Sequence, residues 1–251
     1  MKLFKLFFFI FFFSLNIYSQ EKEIVYKVEI KRKFSDKALE KFNKRTNKRK
    51  ANIEMDAYQN PKDEFYSLKI LKNKSKLDYV EALSNDNKKS HIKVNNYPLG
   101  KQSFRIQDDS LIYFKFQFRK DDYYAKDTLV KGKWIKTQKD TVILNYTAQQ
   151  LKLETDDGIY KAWFTKELPE NLGIGALSYS DGFIIAYEFS YKATPTLKSH
   201  VIKAFPYKEK KLKRRKEFEF TIPDKIYTRT EIEEIFRKSN EVLNKPREVK
   251  N

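Results

Sequence analysis

Apolar and polar residues alternate with a period of two along most of the sequence. In residues 24–30 every even position is apolar, and Lys27 and Glu29 lie between these positions. A strand with one face in a protein core and the other in water has this pattern. Each segment with the pattern is therefore predicted to form a half-buried β-strand. The segments are 24–30, 65–71, 77–83, 112–118, 183–191 and 218–222.

Two Asp-Gly pairs predict β-hairpins. Asp-Gly tolerates the positive φ that tight hairpin turns need, and both Asp157-Gly158 and Asp181-Gly182 lie between apolar segments. In the strand before the first pair the apolar positions change parity, which predicts a β-bulge near Gln149-Gln150. The flanking strands are 142–153 and 159–165 for the first pair, and 172–179 and 183–191 for the second.

Two helices are predicted beside these strands. The first begins at Ser35 or Asp36, and the second begins near the C-terminus, where Thr230 and Glu233 can form a capping box. Hairpins that follow one another without alternating helices indicate an antiparallel sheet. We therefore predict a mainly β fold: a single curled antiparallel sheet, half-barrel or sandwich-like, with one or two helices, including one near the C-terminus.

The first 19 residues have the composition of a secretory signal peptide. Lys2 and Lys5 precede an apolar core at 6–17, and the small residue Ser19 comes directly before Gln20. A basic head, an apolar core and a small residue at the cut are typical of such signals. The apolar run is shorter than the roughly 20 residues that a membrane-spanning helix needs. We predict cleavage between Ser19 and Gln20.

Removal of residues 1–19 leaves 20–251 as a single mainly β domain, because no linker-like segment divides it. The chain has no Cys. A disulfide, a thiol nucleophile and a zinc site built on Cys are therefore excluded.

No pattern in the sequence predicts a catalytic, cofactor-binding or metal site. The two histidines, His91 and His200, lie outside any cluster with ligand spacing. Adjacent carboxylates occur at Asp108-Asp109, Asp121-Asp122 and Asp156-Asp157, in segments where Asp typically starts turns rather than performs acid–base chemistry. Phosphate-binding loops and nucleophile elbows are absent from the sequence. We predict a non-enzymatic protein, with an envelope hydrolase as the alternative.

The chain is strongly basic, with a net charge of +18. Its densest basic run can bind anionic phosphates, and for an exported protein these belong to a membrane surface rather than to nucleic acid. The simpler interpretation is a solvated loop or the guard of an edge strand. The run consists of Lys208, Lys210, Lys211, Lys213, Arg214, Arg215 and Lys216.

Three blocks of the sequence resemble a known family in their order and spacing. The first reads FYSL at 65–68 and NKSKL at 73–77, the second reads WI at 134–135 and DTVILNY at 140–146, and the third reads AWFTKELP at 162–169. These blocks are similar to those of the GLPGLI family. The stretch that gives the family its name follows Pro169, and here 171–177 reads NLGIGAL, so the chain resembles a divergent member.

The resemblance implies an exported protein of a Gram-negative bacterium, in the periplasm or cell envelope or secreted. It implies no biochemical activity, cofactor or site residue, because the family has no assigned role. From the predicted sheet we expect an aromatic face that meets an apolar ligand or another envelope protein.

Overall fold

The computed structural model describes residues 21–44, 48–80, 99–118, 121–212, 218, 223–228, 230–232 and 234–235. The predicted signal peptide and its cleavage position lie outside these residues. So do His91, Glu233, most of the predicted strand 218–222, and the basic residues Lys213, Arg214, Arg215 and Lys216.

Twelve strands and three helical segments make up the described part of the chain. The helices are α1 (Asp36–Asn43), α2 (Lys48–Gln59) and a short α3 at 230–232. The strands are β1 (Lys22–Phe34), β2 (Glu64–Leu71), β3 (Lys74–Val80), β4 (Gln102–Ile106), β5 (Leu111–Phe118), β6 (Asp121–Thr128), β7 (Ile135–Ile143), β8 (Tyr146–Glu154), β9 (Gly158–Thr165), β10 (Phe183–Tyr191), β11 (Leu197–Lys211) and β12 (Tyr227–Thr228).

All twelve strands belong to one open sheet with the order β12-β6-β5-β4-β3-β2-β1-β11-β10-β9-β8-β7. Neighbouring strands pair antiparallel, except that β12 runs parallel to β6. β1 therefore lies in the middle, between β2 and β11. The predicted mainly β fold with one antiparallel sheet and a helix near the C-terminus is confirmed.

The helix starts follow local hydrogen bonding. The predicted cap Ser35 accepts a hydrogen bond from the Ala38 backbone N–H at its Oγ, at 3.3 Å. Near the C-terminus the capping box lies two residues earlier than predicted. The Thr228 N–H donates to the Glu231 carboxylate at 2.7 Å, and the Glu231 N–H donates back to Thr228 Oγ1 at 3.3 Å.

The strand predicted over 142–153 is divided. Leu144 and Asn145 have φ of 50° and 70° and form a two-residue turn that ends β7 and starts β8. Two positive φ values suit a tight hairpin, but the turn has no Gly, so the sequence pattern did not reveal it. The pairing irregularity expected near Gln149-Gln150 is present, with the extra residues in β7 rather than in β8.

The prediction of a strand over 172–179 is wrong. The chain from 168 to 179, here called the covering segment, is irregular and packs on one face of the sheet. Gly173 approaches β10 so closely that a Cβ would lie 2.3 Å from the Ile184 carbonyl oxygen. The alternation in the sequence therefore reflects packing rather than strand pairing. Buried side chains of the covering segment are Leu168, Leu172, Ile174, Leu177, Ser178 and Tyr179.

The covered side of the sheet is called the core face. Paired residues of neighbouring strands lie on the same face. Tyr26 pairs with Tyr66, and both are fully buried in the cluster that includes the covering segment. The protein's own chain thus fills the core face, whereas the opposite, outer face carries half-buried aromatic and charged side chains.

Candidate functional site

A polar cleft of about 640 Å³ opens at one end of the sheet, beside the covering segment. Leu168 and Pro169 are the apolar side chains in its lining, and most of the other lining residues carry a charge or an amide. Such a lining suits a ligand that forms hydrogen bonds. The lining residues are Lys72, Asn73, Gln107, Lys166, Leu168, Pro169, Glu170, Asp181 and Gly182.

The cleft is assembled from sequence-distant parts that the strand order brings together. Lys72, with φ of 53°, and Asn73 form the tight turn between β2 and β3. The Gln107 N–H donates to the Asn73 carbonyl oxygen at 2.8 Å, so Gln107 extends the pairing of β4 with this turn. The opposite wall comes from 166–170 and from the turn before β10.

The carboxylate of Asp181 at the cleft is held in its ionised form. Tyr179 OH donates to its Oδ2 at 3.0 Å, and Lys136 Nζ lies 3.3 Å from the same oxygen. The hydrogen bonds from Tyr179 and Lys136 hold the pKa of Asp181 below its usual range. A general acid needs the opposite shift, so this carboxylate is suited to binding rather than to donating a proton.

Arg105 lies two residues before Gln107 of the cleft lining and is only 2% exposed. Its Nη1 donates to two carbonyl oxygens of the covering segment, that of Gly173 at 2.7 Å and that of Gly175 at 3.2 Å. Within the described residues its Nε and Nη2 have no hydrogen-bond partner, and the same holds for Oγ of its cross-strand neighbour Ser75. Burial lowers the pKa of Arg105 to about 9, which leaves it cationic at neutral pH.

A second polar cluster joins β1, β8 and β11. Tyr146 OH donates to Glu209 Oε1 at 2.9 Å and accepts a hydrogen bond from Lys22 Nζ, which lies 3.3 Å from Glu209 Oε1. Burial and the Glu209 carboxylate raise the pKa of Tyr146, and burial raises that of Tyr26. Both phenols therefore stay protonated and cannot act as bases near neutral pH.

The outer face presents aromatic side chains between ion pairs. Trp163 lies in β9, in the predicted hairpin with β8, and its ring centroid is 5.1 Å from that of Phe205. Phe65 contacts the more exposed Tyr207 at 5.9 Å. Of the basic run, Lys208, Lys210 and Lys211 end β11 rather than form a loop, and Lys210 lies 3.4 Å from Glu23.

The adjacent carboxylates have structural roles in the described chain. Asp109 accepts a hydrogen bond from the Leu111 N–H at 3.0 Å in the turn before β5, and Asp122 pairs with Lys115 at 2.6 Å. Asp156-Asp157 lies in the turn before β9, as predicted. Across the described ranges, no group of three or more His or acidic side chains could hold a metal ion.

His200 packs near the start of β11 and does not line the cleft. Its ring stacks on Tyr191 with centroids 4.3 Å apart, and its Nε2 lies 3.4 Å from Arg32 Nε. An imidazole nitrogen that accepts this contact must be unprotonated. Burial, together with the Arg32 charge, lowers the pKa of His200 to about 4.

We expect His200 to make the protein less stable below pH 6.5. Between pH 6.5 and about 4 the unfolded histidine takes up a proton that the folded one does not, so stability is lost as the pH falls. The measurement is the melting temperature of the wild type and of His200→Gln at pH 7, 5.5 and 4.5. The wild type should lose more stability than the variant, and identical slopes would contradict the prediction.

Sequence reasoning missed Arg105 and the cleft. Arg105 belongs to the five-residue β4, which has too few residues for a clear periodic pattern. The signal that was present is a charged residue next to Phe104 and Ile106 in a short apolar stretch. Only the covering segment makes that position buried. In the part of the chain that the structure describes, no helix is long and apolar enough to cross a membrane.

Comparison with known proteins identifies a fold but no family. No protein-family model and no curated protein matches the chain. Among solved structures, PNGF-II in space group P21 is similar, with a TM-score of 0.52 at 14% identity over 88% of this chain and 34% of that chain. The structure of PNGF-II in space group C2 has a TM-score of 0.49 at 14% identity, over 88% of this chain and 33% of that chain. The chain thus spans about a third of the length of PNGF-II, and the likeness to the P21 structure extends to the fold alone.

Proposed function

We propose that this protein is a non-enzymatic binding protein of the cell envelope that holds a polar ligand in the cleft. The proposal includes export through the N-terminal signal, a place in the periplasm or envelope of a Gram-negative bacterium, and membership of the GLPGLI family. The cleft carries the proposal, because amide and charged side chains from four separate parts of the chain converge there.

The filled core face favours a polar ligand over an apolar one. Leu172, Ile174 and Leu177 occupy the surface on which an apolar ligand would otherwise lie. The pKa of Asp181 is lowered, whereas a carboxyl that acts as a general acid needs a raised pKa. The filled core face thus supports a polar ligand, and the lowered pKa supports Asp181 as a binding group rather than a general acid.

The test is a binding screen with polar small molecules, read by thermal shift and quantified by calorimetry. The panel contains amino acids, dicarboxylates, sugars and short peptides. Loss of one hydrogen bond costs about 1 kcal/mol of binding free energy, or several-fold in affinity. Gln107→Ala and Asn73→Ala should therefore each lower the affinity for a ligand bound in the cleft by about five- to tenfold. Gln138→Ala, an exposed glutamine of β7 outside the lining, is the control.

Equal affinities for all three variants would place the ligand elsewhere. A hydrolytic activity of the purified protein that disappears in Asp181→Asn would instead favour the envelope hydrolase.

Export makes a separate prediction. N-terminal sequencing of the protein from a cell-envelope or periplasmic fraction should start at Gln20. Phe11→Arg places a charge in the apolar core of the signal and should leave the uncleaved protein in the cytoplasm. A wild-type protein that still starts at Met1 would contradict the signal-peptide prediction.

A further inference from the structure

One edge of the Arg105 guanidinium, formed by Nε and Nη2, makes no hydrogen bond within the described residues. Nη1 makes both hydrogen bonds to the covering segment, whereas Nε and Nη2 have no partner among the described residues. In a guanidinium group Nε–H and one N–H of Nη2 point in the same direction. This pair is the fork that binds two oxygens of one carboxylate.

Holding the covering segment does not require a positive charge. Neutral donors satisfy two carbonyl oxygens, and a buried cation without a counter-ion is unfavourable. Burial is the cause of the lowered pKa of Arg105, and no described carboxylate opposes it. The charge and the free fork therefore require a different explanation from the contact with Gly173 and Gly175.

Ser75 adds a third unpartnered polar atom at the same place. It is 1% exposed, it pairs directly with Arg105 across β3 and β4, and its Oγ has no partner in the described chain. A hydroxyl next to the fork can donate to an oxygen bound there. Two paired buried side chains thus carry three unpartnered donor atoms on one face of the sheet.

The cleft provides the route to this position. Asn73 and Gln107 line the cleft, and each lies one residue past the end of the strand that carries Ser75 or Arg105, two residues along the chain from it. An extended chain advances about 3.3 Å per residue, so the cleft begins about 7 Å along the backbone from Ser75 and Arg105. Entry requires the covering segment, which contributes Leu168 and Pro169 to the cleft, to move away from β4.

We propose that the Nε–Nη2 edge of Arg105 and the hydroxyl of Ser75 bind the carboxylate of a ligand that enters through the cleft. This inference rests on the proposed function, because the remainder of the ligand would lie between Asn73 and Gln107. It adds the chemical class: a small carboxylate whose polar part fills the cleft.

The experiment titrates the full mature chain with formate, acetate, phosphate and chloride at constant ionic strength. Melting temperature and calorimetry report binding. Formate or acetate should stabilise the wild type in a saturable manner. Arg105→Lys keeps the charge but removes the fork, and should weaken binding at least tenfold. Ser75→Ala should weaken it about threefold, while Ser103→Ala, a buried serine of the same face, should leave it unchanged.

Several outcomes would overturn the inference. They are tighter binding of phosphate than of acetate, an equal effect of chloride, unchanged acetate affinity in Arg105→Lys, or no stabilisation of the wild type by any of these ions. If Arg105→Lys does not fold, the acetate affinities of Ser75→Ala and Ser103→Ala decide, because both variants keep the guanidinium. Equal affinities in these two variants would then contradict the inference.

The two proposals fail separately. A polar ligand that depends on Gln107 but not on Arg105 would refute only the carboxylate site. Acetate binding that depends on Arg105, with no ligand sensitive to Asn73→Ala or Gln107→Ala, would refute only the cleft.

Discussion

Gly173→Ala is expected to lower the free energy of unfolding by about 3 kcal/mol. The new Cβ would lie 2.3 Å from the carbonyl oxygen of Ile184 and 2.9 Å from its nitrogen. Both atoms belong to the backbone of β10, which cannot rotate away as a side chain can. The covering segment must therefore move outward and lose the hydrogen bond from the Ile174 N–H to the Ile184 carbonyl oxygen, now 3.2 Å.

Urea unfolding followed by circular dichroism measures this loss, and the melting temperature should fall by about 6–12 °C for a domain of this size. The control is Gly100→Ala. Unlike Gly173, Gly100 has a positive φ, 74°, and the nearest atom to a Cβ there is 3.7 Å away. That variant should lose only about 1 kcal/mol, from backbone strain. Equal losses in both variants would mean that the covering segment does not depend on close contact with β10.

Trp163→Ala is expected to lower the free energy of unfolding by about 2–3 kcal/mol. Complete removal of a buried tryptophan side chain costs about 3–5 kcal/mol, and Trp163 is only half-buried on the outer face. Its ring packs on Phe205, and its strand neighbours across β8 and β10 are Gln150 and Ala186. The alanine would leave the Phe205 ring without its aromatic partner.

Thermal and urea unfolding of Trp163→Ala and Tyr207→Ala would test this prediction. Tyr207 is 57% exposed on the same face, so its replacement should change stability by less than about 0.5 kcal/mol. An unchanged melting temperature for Trp163→Ala would mean that the ring contributes little to packing. In that case Trp163 would become a candidate contact for a partner on the outer face.

The alternation of side chains by itself predicted the strands that have one buried face. β1 and the apolar positions of β2 follow this pattern, and the Asp157-Gly158 hairpin forms where its turn residues indicate. β10 was also predicted as a half-buried strand, but Phe183 to Tyr187 are buried on both faces. The reason is local: a strand places successive side chains on opposite faces, so burial of one face leaves a period of two in the sequence. Ser35 likewise marks the start of α1, because a cap requires only nearby backbone N–H groups.

The same rule is less informative where a strand has no regular buried face. β7 is an edge strand with both faces largely exposed, and β6 begins with Asp121-Asp122, a pair that indicated a turn. Residues 172–179 alternate for another reason, since they lie irregularly against β10. A pattern of apolar residues and glycines records burial but not what causes it.

The sequence therefore determined the fold class, the strands near the centre of the sheet and the absence of cysteine chemistry. The tertiary structure alone decided the candidate site. Asn73, Gln107, Lys166 and Asp181 are far apart in the chain and meet because the order of strands places their turns at one end of the sheet. Arg105 becomes a buried cation only because the covering segment excludes water from β4, and that exclusion depends on contacts between residues about 70 positions apart.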